Sequence, residues 1–489
     1  MVKEYKLFIN GKWMNSVSGK TFKSINPANK QVLGIFQEGN EIDINNAVEA
    51  AEIAFHSWKD CPAPKRGELL LKIAVLLRKR KEELAKLMTM EMGKVLKEAM
   101  GDVQEGIDIA EYMAGEGRRL FGHTTPSELR NKFCMTFRIP LGVVGLITPW
   151  NFPIAIPCWK LMPALICGNT AVIKPSSDTP LCAIKLMEIL EESGMPKGVV
   201  NLVTGAGSTA GTALIKHKHV RGISFTGSRD TGMFVIKNAG LKKVGLELGG
   251  KNAIIIMDDA DLDIALEGVI WGAFGTTGQR CTAASRVIIH EKVKTKFENM
   301  LLNKIKKLKL GNGLDKKTDI GPLVNEKALE KVHSYTEIGR AEKARLLCGG
   351  RHGSPAGFFY EPTVFTDVKP FMRIAQEEIF GPSLSIIPVK DLKEAIDVAN
   401  NIDYGLSSSI YTNDIKNAFI AIQNIEAGIT YVNSSTIGAE VHLPFGGVKD
   451  TGNGTREAGW SGLEEFSEEK TVYIDYSGKL QKAQGIDDL

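Results

Sequence analysis

The chain has 489 residues, 43% hydrophobic and 24% charged, with 61 basic and 57 acidic side chains for a net charge of +4. That length predicts two or more domains around a large core, and so mild a charge argues against a nucleic-acid groove. Seven cysteines, at 61, 134, 158, 167, 182, 281 and 348, are odd in number and show no paired spacing, which argues against a disulfide framework.

The N-terminus, MVKEYKLFINGKW, lacks the apolar core of a signal peptide. Residues 5–35 alternate apolar and polar around Asn10-Gly11, Ser18-Gly19 and Asn26-Pro27, the pattern of short strands and hairpins. Helical periodicity follows over 41–59 and 62–92, with Leu69, Leu70, Ile73, Leu76, Leu77 and Leu84 on one face, and again over 98–119. Residues 123–140 lose that period and read as an extended ribbon. The apolar stretch Leu141–Ile173 is broken by prolines 149, 153, 157 and 163, so it is not a membrane span. A cytoplasmic location is expected.

Short buried runs then alternate with helices. Strands are expected at Val143–Thr148, Thr170–Lys174, Val199–Val203, Gly222–Phe225 and Val244–Leu248, with helices at Pro180–Ser193, from Ser208, and at Thr231–Ala239. This predicts an α/β chain with a Rossmann-like, doubly wound parallel sheet. Its ligand belongs beyond the carboxyl ends of the strands, where Thr148–Asn151, Lys174–Ser176, Gly205–Gly211, Thr226–Ser228 and Glu247–Gly250 all fall.

A second α/β region follows. Its helices are expected at Asp261–Phe274, Val293–Leu308, Asn325–Ala344, Leu392–Asn400 and Asp414–Ile425, and its strands at Arg286–His290, Leu384–Val389, Ser408–Tyr411 and Ile429–Asn433. The run KIKKLK at 304–309 reads as a solvated helix face, and His217 with His219 as a surface turn rather than a metal site. No metal site is expected. A terminal strand, Thr471–Tyr476, needs a partner, and such an edge is often completed by another subunit.

Two stretches carry chemistry. In GVIWGAFGTTGQRCTAASR, small residues lead into Cys281, where they allow a ligand close to a thiol and its backbone N–H. In GLELGGKN, Glu247 stands between leucine and a Gly-Gly pair, a setting that raises a carboxyl pKa and suits a general base. The Gly207 and Gly211 turn is spaced GxGxxxG, a weak dinucleotide fingerprint. Gly227 and Ser228 open a helix whose N-terminus can receive a phosphate.

GLELGGK followed by GQRCT resembles the aldehyde dehydrogenase superfamily, and further motifs extend the resemblance over nearly the whole chain. The resemblance implies Cys281 as nucleophile, Glu247 as base, and Asn151 of TPWNFP as oxyanion donor together with the Cys281 N–H. It implies a cofactor site drawn from Thr148, Pro149, Trp150, Lys174, Ser176, Ser177, Gly207, Gly211, Phe225, Thr226, Gly227, Ser228, Leu248 and Gly249. To these it adds Glu378 on the nicotinamide ribose and Phe380 beside the nicotinamide, both from EEIFGP. Arg280, Thr282 and Phe445 fall on the substrate side; Phe445, in LPFGG, is also expected near the nicotinamide.

The implied reaction is NAD(P)-dependent oxidation of an aldehyde to its acid through a cysteine thioester. Members with GQRCT include enzymes for semialdehydes and other acid-tailed aldehydes. Arg280 could pair with such a tail, and segment 94–100 offers only lysines as further cations, so small aliphatic and hydroxy-aldehydes stay open. Ser177 stands where NAD-preferring members often carry glutamate, so NADP is favoured with NAD as the slower alternative; Asp178 beside it is read as capping the next helix. Rival readings are a CoA-acylating relative, which would lack Glu247, and a non-catalytic structural relative, which would have lost thiol or base. The expected division is 1–122 with 141–249 for the cofactor, 250–447 for catalysis, and 123–140 with 448–489 as arm and C-terminal return. The ribbon and terminal strand resemble oligomerisation arms, implying a homodimer or homotetramer.

Overall fold

Strands buried on both faces build the first sheet. Every residue of Val143–Ile147, Thr170–Lys174 and Val200–Leu202 is buried, the signature of a parallel sheet covered by helices on each side. The computed structural model, which describes residues 2–482, orders this sheet as Lys243–Glu247, Val220–Thr226, Val143–Ile147, Thr170–Lys174, Val200–Leu202, then the antiparallel hairpin Leu7–Ile9 and Lys12–Met14. Val143–Ile147 lies between Thr170–Lys174 and Val220–Thr226. The order therefore reverses at this strand, and its carboxyl end is a topological switch point.

One face packs on Ala63–Lys79, Lys81–Met92, Leu96–Glu116, Ala155–Cys167 and Pro180–Ser193. The other packs on Glu41–Asp60, Thr212–Lys216 and Arg229–Ala239.

The second sheet runs Arg345–Cys348, Thr363–Thr366, Ser383–Val389, Ala284–His290, Asn252–Ile256, Ser407–Tyr411, Ile429–Val432. All neighbours are parallel except the first pair. Among the described residues no helix is long and apolar enough to cross a membrane.

Several expectations change. The periodic stretch 62–92 is two helices that meet at Arg80, where φ is −100° and ψ 11°. The helix expected from Ser208 begins as a π-helical turn, Gly207–Gly211. Asn252–Ile256, a fully buried strand next to the centre of the second sheet, went unread because it follows Lys243–Glu247 after only a Leu-Gly-Gly-Lys break. Arg345–Cys348 and Thr363–Thr366 went unread as well.

The terminal strand, Ser467–Asp475, finds its partner inside the chain. It pairs antiparallel with Lys132–Pro140, from Ser467 opposite Pro140 to Asp475 opposite Lys132, and Thr124–Pro126 completes the ribbon. Asp178 does not cap the helix Pro180–Ser193. Its carboxylate accepts from Asn325 Nδ2 at 3.0 Å and Ser176 Oγ at 3.3 Å. The buried Glu91 caps that helix instead, accepting from the N–H groups of Leu181 at 2.6 Å and Cys182 at 2.9 Å.

Candidate active site

Cys281 is presented by a strained turn. Thr276, Thr277 and Gly278 all have positive φ, at 52°, 59° and 68°. For glycine this costs little, but a β-branched residue there stores on the order of 1–3 kcal/mol. The surroundings offset that cost. Thr276 N–H donates to both oxygens of Glu98 at 2.9 Å, and Thr276 Oγ1 donates at 3.1 Å. Thr277 Oγ1 donates to the Gly321 carbonyl at 3.0 Å. Gln279, fully buried, accepts from Val324 N–H at 2.9 Å and donates to the Thr276 and Pro322 carbonyls at 3.3 Å. Hydrogen bonds to a charged acceptor contribute about 1.5–3 kcal/mol each, so the Glu98 contacts alone are of the size needed.

Asn151 leaves the switch-point strand and reaches this turn, its Nδ2 donating to the Gln279 carbonyl at 3.1 Å. Glu247 ends the strand Lys243–Glu247. Its carboxyl is buried, and neither oxygen has a hydrogen-bond partner among the described residues. Burial raises its pKa well above the usual carboxylate range, the neighbouring Glu457 adds to this, and Lys160 opposes it. Gly446 makes room for it: at φ +148°, a Cβ there would lie 2.6 Å from Glu247 Oε1. Burial, with the charges of Glu247 and Glu378 adding, pushes the Cys281 thiol up to about 12.

Two cavities meet at Cys281. One, of about 240 Å³, is lined among others by Pro149, Trp150, Asn151, Thr226, Gly227, Ser228, Leu248, Gly249, Glu378 and Phe380. The other, of about 60 Å³, holds room for a few waters and is lined by residues including Glu247, Arg280, Thr282, Phe152, Trp159 and Phe445. Arg280 also lines an outer channel of about 780 Å³ with Glu98, Glu105 and Trp271.

The first cavity suits a dinucleotide. Ser228 N-caps the helix Arg229–Ala239, whose free amides and dipole favour phosphate. Thr226 Oγ1 on its wall is a buried hydroxyl without a partner among the described residues, as is Thr148 Oγ1 just behind Pro149, off the wall itself. Gly250 N–H at 2.9 Å fixes the Glu378 carboxylate, whose pKa burial raises. Phe380, at φ 61°, meets the Trp150 ring edge-on with centroids 5.5 Å apart.

Lys174, Ser176, Ser177, Gly207, Gly211 and Phe225 sit at the neighbouring strand ends rather than on this cavity's wall. Lys174 Nζ donates to the Pro175 carbonyl at 2.6 Å, and Ser177 Oγ to that of Gly205 at 3.2 Å. Burial lowers the Lys174 pKa to about 8, against the charges of Glu38 and Asp178. Phe445 packs edge-on against Trp159, centroids 5.2 Å apart, on the inner cavity and not on the cofactor-side wall.

Sequence reasoning missed Lys331 and Ala328, which the helix Glu326–Ala341 places on the cofactor-side wall. Their spacing of three on one helix face is the only signal they gave. Glu38 was missed too; it accepts from Ala206 N–H at 2.7 Å. Segment 94–100, noted for its lysines, contributes the carboxylate of Glu98.

A doubly wound sheet whose switch point opens beside a second α/β sheet, with thiol, amide and carboxyl converging at the seam, defines a nicotinamide-dependent dehydrogenase. The chain belongs to the aldehyde dehydrogenase family, whose model matches residues 13–472. It is an oxidoreductase that converts aldehydes to acids with NAD(P). It is 42% identical to the alpha-ketoglutaric semialdehyde dehydrogenase of Bacillus subtilis, over 96% of this chain and 98% of that protein. It is 44% identical to the 2,5-dioxopentanoate dehydrogenase of Saccharolobus solfataricus, over 94% of this chain and 98% of that one. The crystal structure of betaine aldehyde dehydrogenase from Staphylococcus aureus with NAD+ superposes with a TM-score of 0.95 at 37% identity, covering 97% of this chain and 96% of that one.

Proposed function

We propose that Cys281 is the nucleophile, Asn151 the oxyanion donor and Glu247 the base of a non-acylating aldehyde dehydrogenase that acts on an acid-tailed semialdehyde. The observation that carries this reading is the meeting of the two cavities at Cys281, one suited to a dinucleotide and one holding Glu247. Cys281, its thiol proton first lost to solvent, attacks the aldehyde carbonyl carbon as a thiolate, and the new oxyanion accepts from Asn151 Nδ2 and the Cys281 N–H. A nicotinamide cofactor held by Trp150, Ser228, Glu378 and Phe380 would supply the hydride acceptor for this adduct, and Cys281 would then carry a thioester. Glu247 then takes a proton from water, the hydroxide adds to the thioester, and the thiolate leaves with release of the acid. The buried, unpartnered carboxyl favours hydrolysis over transfer to another thiol.

Arg280 supports an anionic tail on the substrate. A guanidinium has five N–H donors. Among the described residues only Nε–H is hydrogen-bonded, to Thr276 Oγ1 at 2.9 Å, and Nη2 stands 3.5 Å from Glu98. The relatives named for semialdehydes support the same class. For the cofactor, Ser177 places no carboxylate where a 2′-phosphate would sit, so NADP is accepted and preferred; Glu38, acting on Lys174, is the opposing charge. Residues 1–122 and 141–249 form the cofactor domain and 250–447 the catalytic domain, which carries the nucleophile and adds Glu378 and Phe380 to the cofactor wall. The ribbon exposes Phe133, Phe137, Tyr473 and Ile474, which supports a homodimer or homotetramer assembled through 123–140 and 448–489.

Because its pKa is raised, Glu247 is a base only above that pKa, so kcat rises with pH at values above the usual carboxylate range. Glu247→Gln shows one burst of reduced cofactor and then stalls; steady turnover by this variant contradicts the assignment. Arg280→Met raises KM for acid-tailed aldehydes about tenfold more than for neutral ones, and equal effects on both classes refute the anion site. Ser177→Glu shifts the kcat/KM ratio toward NAD by about 10-fold or more; an unmoved ratio places the choice elsewhere. Light scattering at micromolar concentration reads a dimer or tetramer, and a monomer refutes assembly through the ribbon.

A further inference from the structure

The helix Leu96–Glu116 carries Glu98, Asp102 and Glu105 at spacing i, i+4 and i+7, which puts the three carboxyls on one face. That face looks onto the site just described. Glu98 holds the nucleophile turn through Thr276 N–H and Oγ1, and its Oε1 lies 3.5 Å from Arg280 Nη2. Asp102 holds the other loop. Its Oδ1 accepts from Ala155 N–H at 2.8 Å, where the helix after Asn151 begins. Its Oδ2 accepts from Lys94 Nζ at 2.8 Å, and both side chains of that pair are fully buried.

Phe152, next to Asn151, completes the join. Lys94 Nζ stands 3.8 Å from its ring centre, and the Arg280 guanidinium carbon 5.3 Å from the same ring. The two loops touch each other directly only through Asn151 Nδ2 and the Gln279 carbonyl among the described hydrogen bonds. One loop leaves the first sheet and the other leads into the second, and a single helix grips both one turn apart.

We propose that Glu98 and Asp102 are positioning residues that set the distance between the Cys281 turn and the Asn151 loop, and so aim the two oxyanion donors at one point. Neither touches the reacting atoms. Their effect passes through Thr276 on one side and Ala155 on the other. A donor displaced by about 1 Å costs on the order of 100-fold in rate, so a pair of anchors on one rigid helix is enough to govern the chemical step. The inference rests on the roles given above to Cys281 and Asn151.

The experiment compares Glu98→Ala, Asn151→Ala and the double variant. It reads the single-turnover rate of reduced-cofactor formation and, separately, alkylation of the thiol by iodoacetamide, which forms no oxyanion. Glu98→Ala is expected to slow the single turnover about 10- to 100-fold while alkylation changes by about twofold or less. The double variant is expected to lose little beyond Asn151→Ala alone, because an anchor that works by aiming the donor has nothing to aim once the donor is gone. Glu98→Gln, which keeps the shape and one acceptor, gives the same non-additivity with a smaller loss and serves if the alanine variant folds poorly. Penalties that multiply in full, or a Glu98 variant as fast as the native enzyme, overturn the proposal. If Asn151→Ala and Cys281→Ala themselves leave the rate unchanged, the roles of those two residues fail instead, and the two failures are told apart.

Discussion

The site depends on a backbone conformation that its own sequence resists. Two threonines in the left-handed region precede Cys281, and β-branched residues there are strained. The turn persists because contacts from elsewhere over-determine it: a carboxylate from Leu96–Glu116, carbonyls at Gly321 and Pro322, and a buried glutamine bonded on both ends. A glycine-rich turn without these anchors would sample many shapes, and the thiol would not stay beside Asn151. Strain and anchoring together convert a flexible stretch into a fixed platform.

Electrostatics at the seam follow from the same burial. Glu247 and Cys281 both have their charged forms disfavoured, so the inner cavity tends toward neutrality. Behind them Lys160 is ion-paired with Glu457 and donates to Ser224 Oγ at 2.8 Å, and Glu465, pushed to about 7 by burial and the charge of Glu457, lies nearby. With thiol and carboxyl both neutral at rest, charge appears on these two groups only as the reaction proceeds.

What the sequence made legible was local. Cys281, Glu247, Asn151 and Glu378 stand in short motifs that single them out as candidates, and the alternation of buried runs with helices predicts the first sheet. What stayed hidden was long-range. Glu98 meets Thr276 across 178 residues, and no local pattern distinguishes it from a solvated helix carboxylate. Asn252–Ile256 was hidden because a buried strand directly after another leaves no alternation to read. Asp178 looked like a helix cap by position, yet the cap comes from Glu91, about 90 residues earlier, because a buried carboxylate there satisfies two amide donors at once.

The central claim is that a covalent acyl group forms on Cys281 and waits for Glu247. Intact-protein mass spectrometry of the Glu247→Gln variant, mixed with an aldehyde and oxidised cofactor and followed by peptide mapping, tests it most directly. The account predicts a mass increase equal to one acyl group, stoichiometric with the enzyme and located on the peptide containing Cys281. An unmodified protein, or an adduct on any of the other six cysteines, would contradict it.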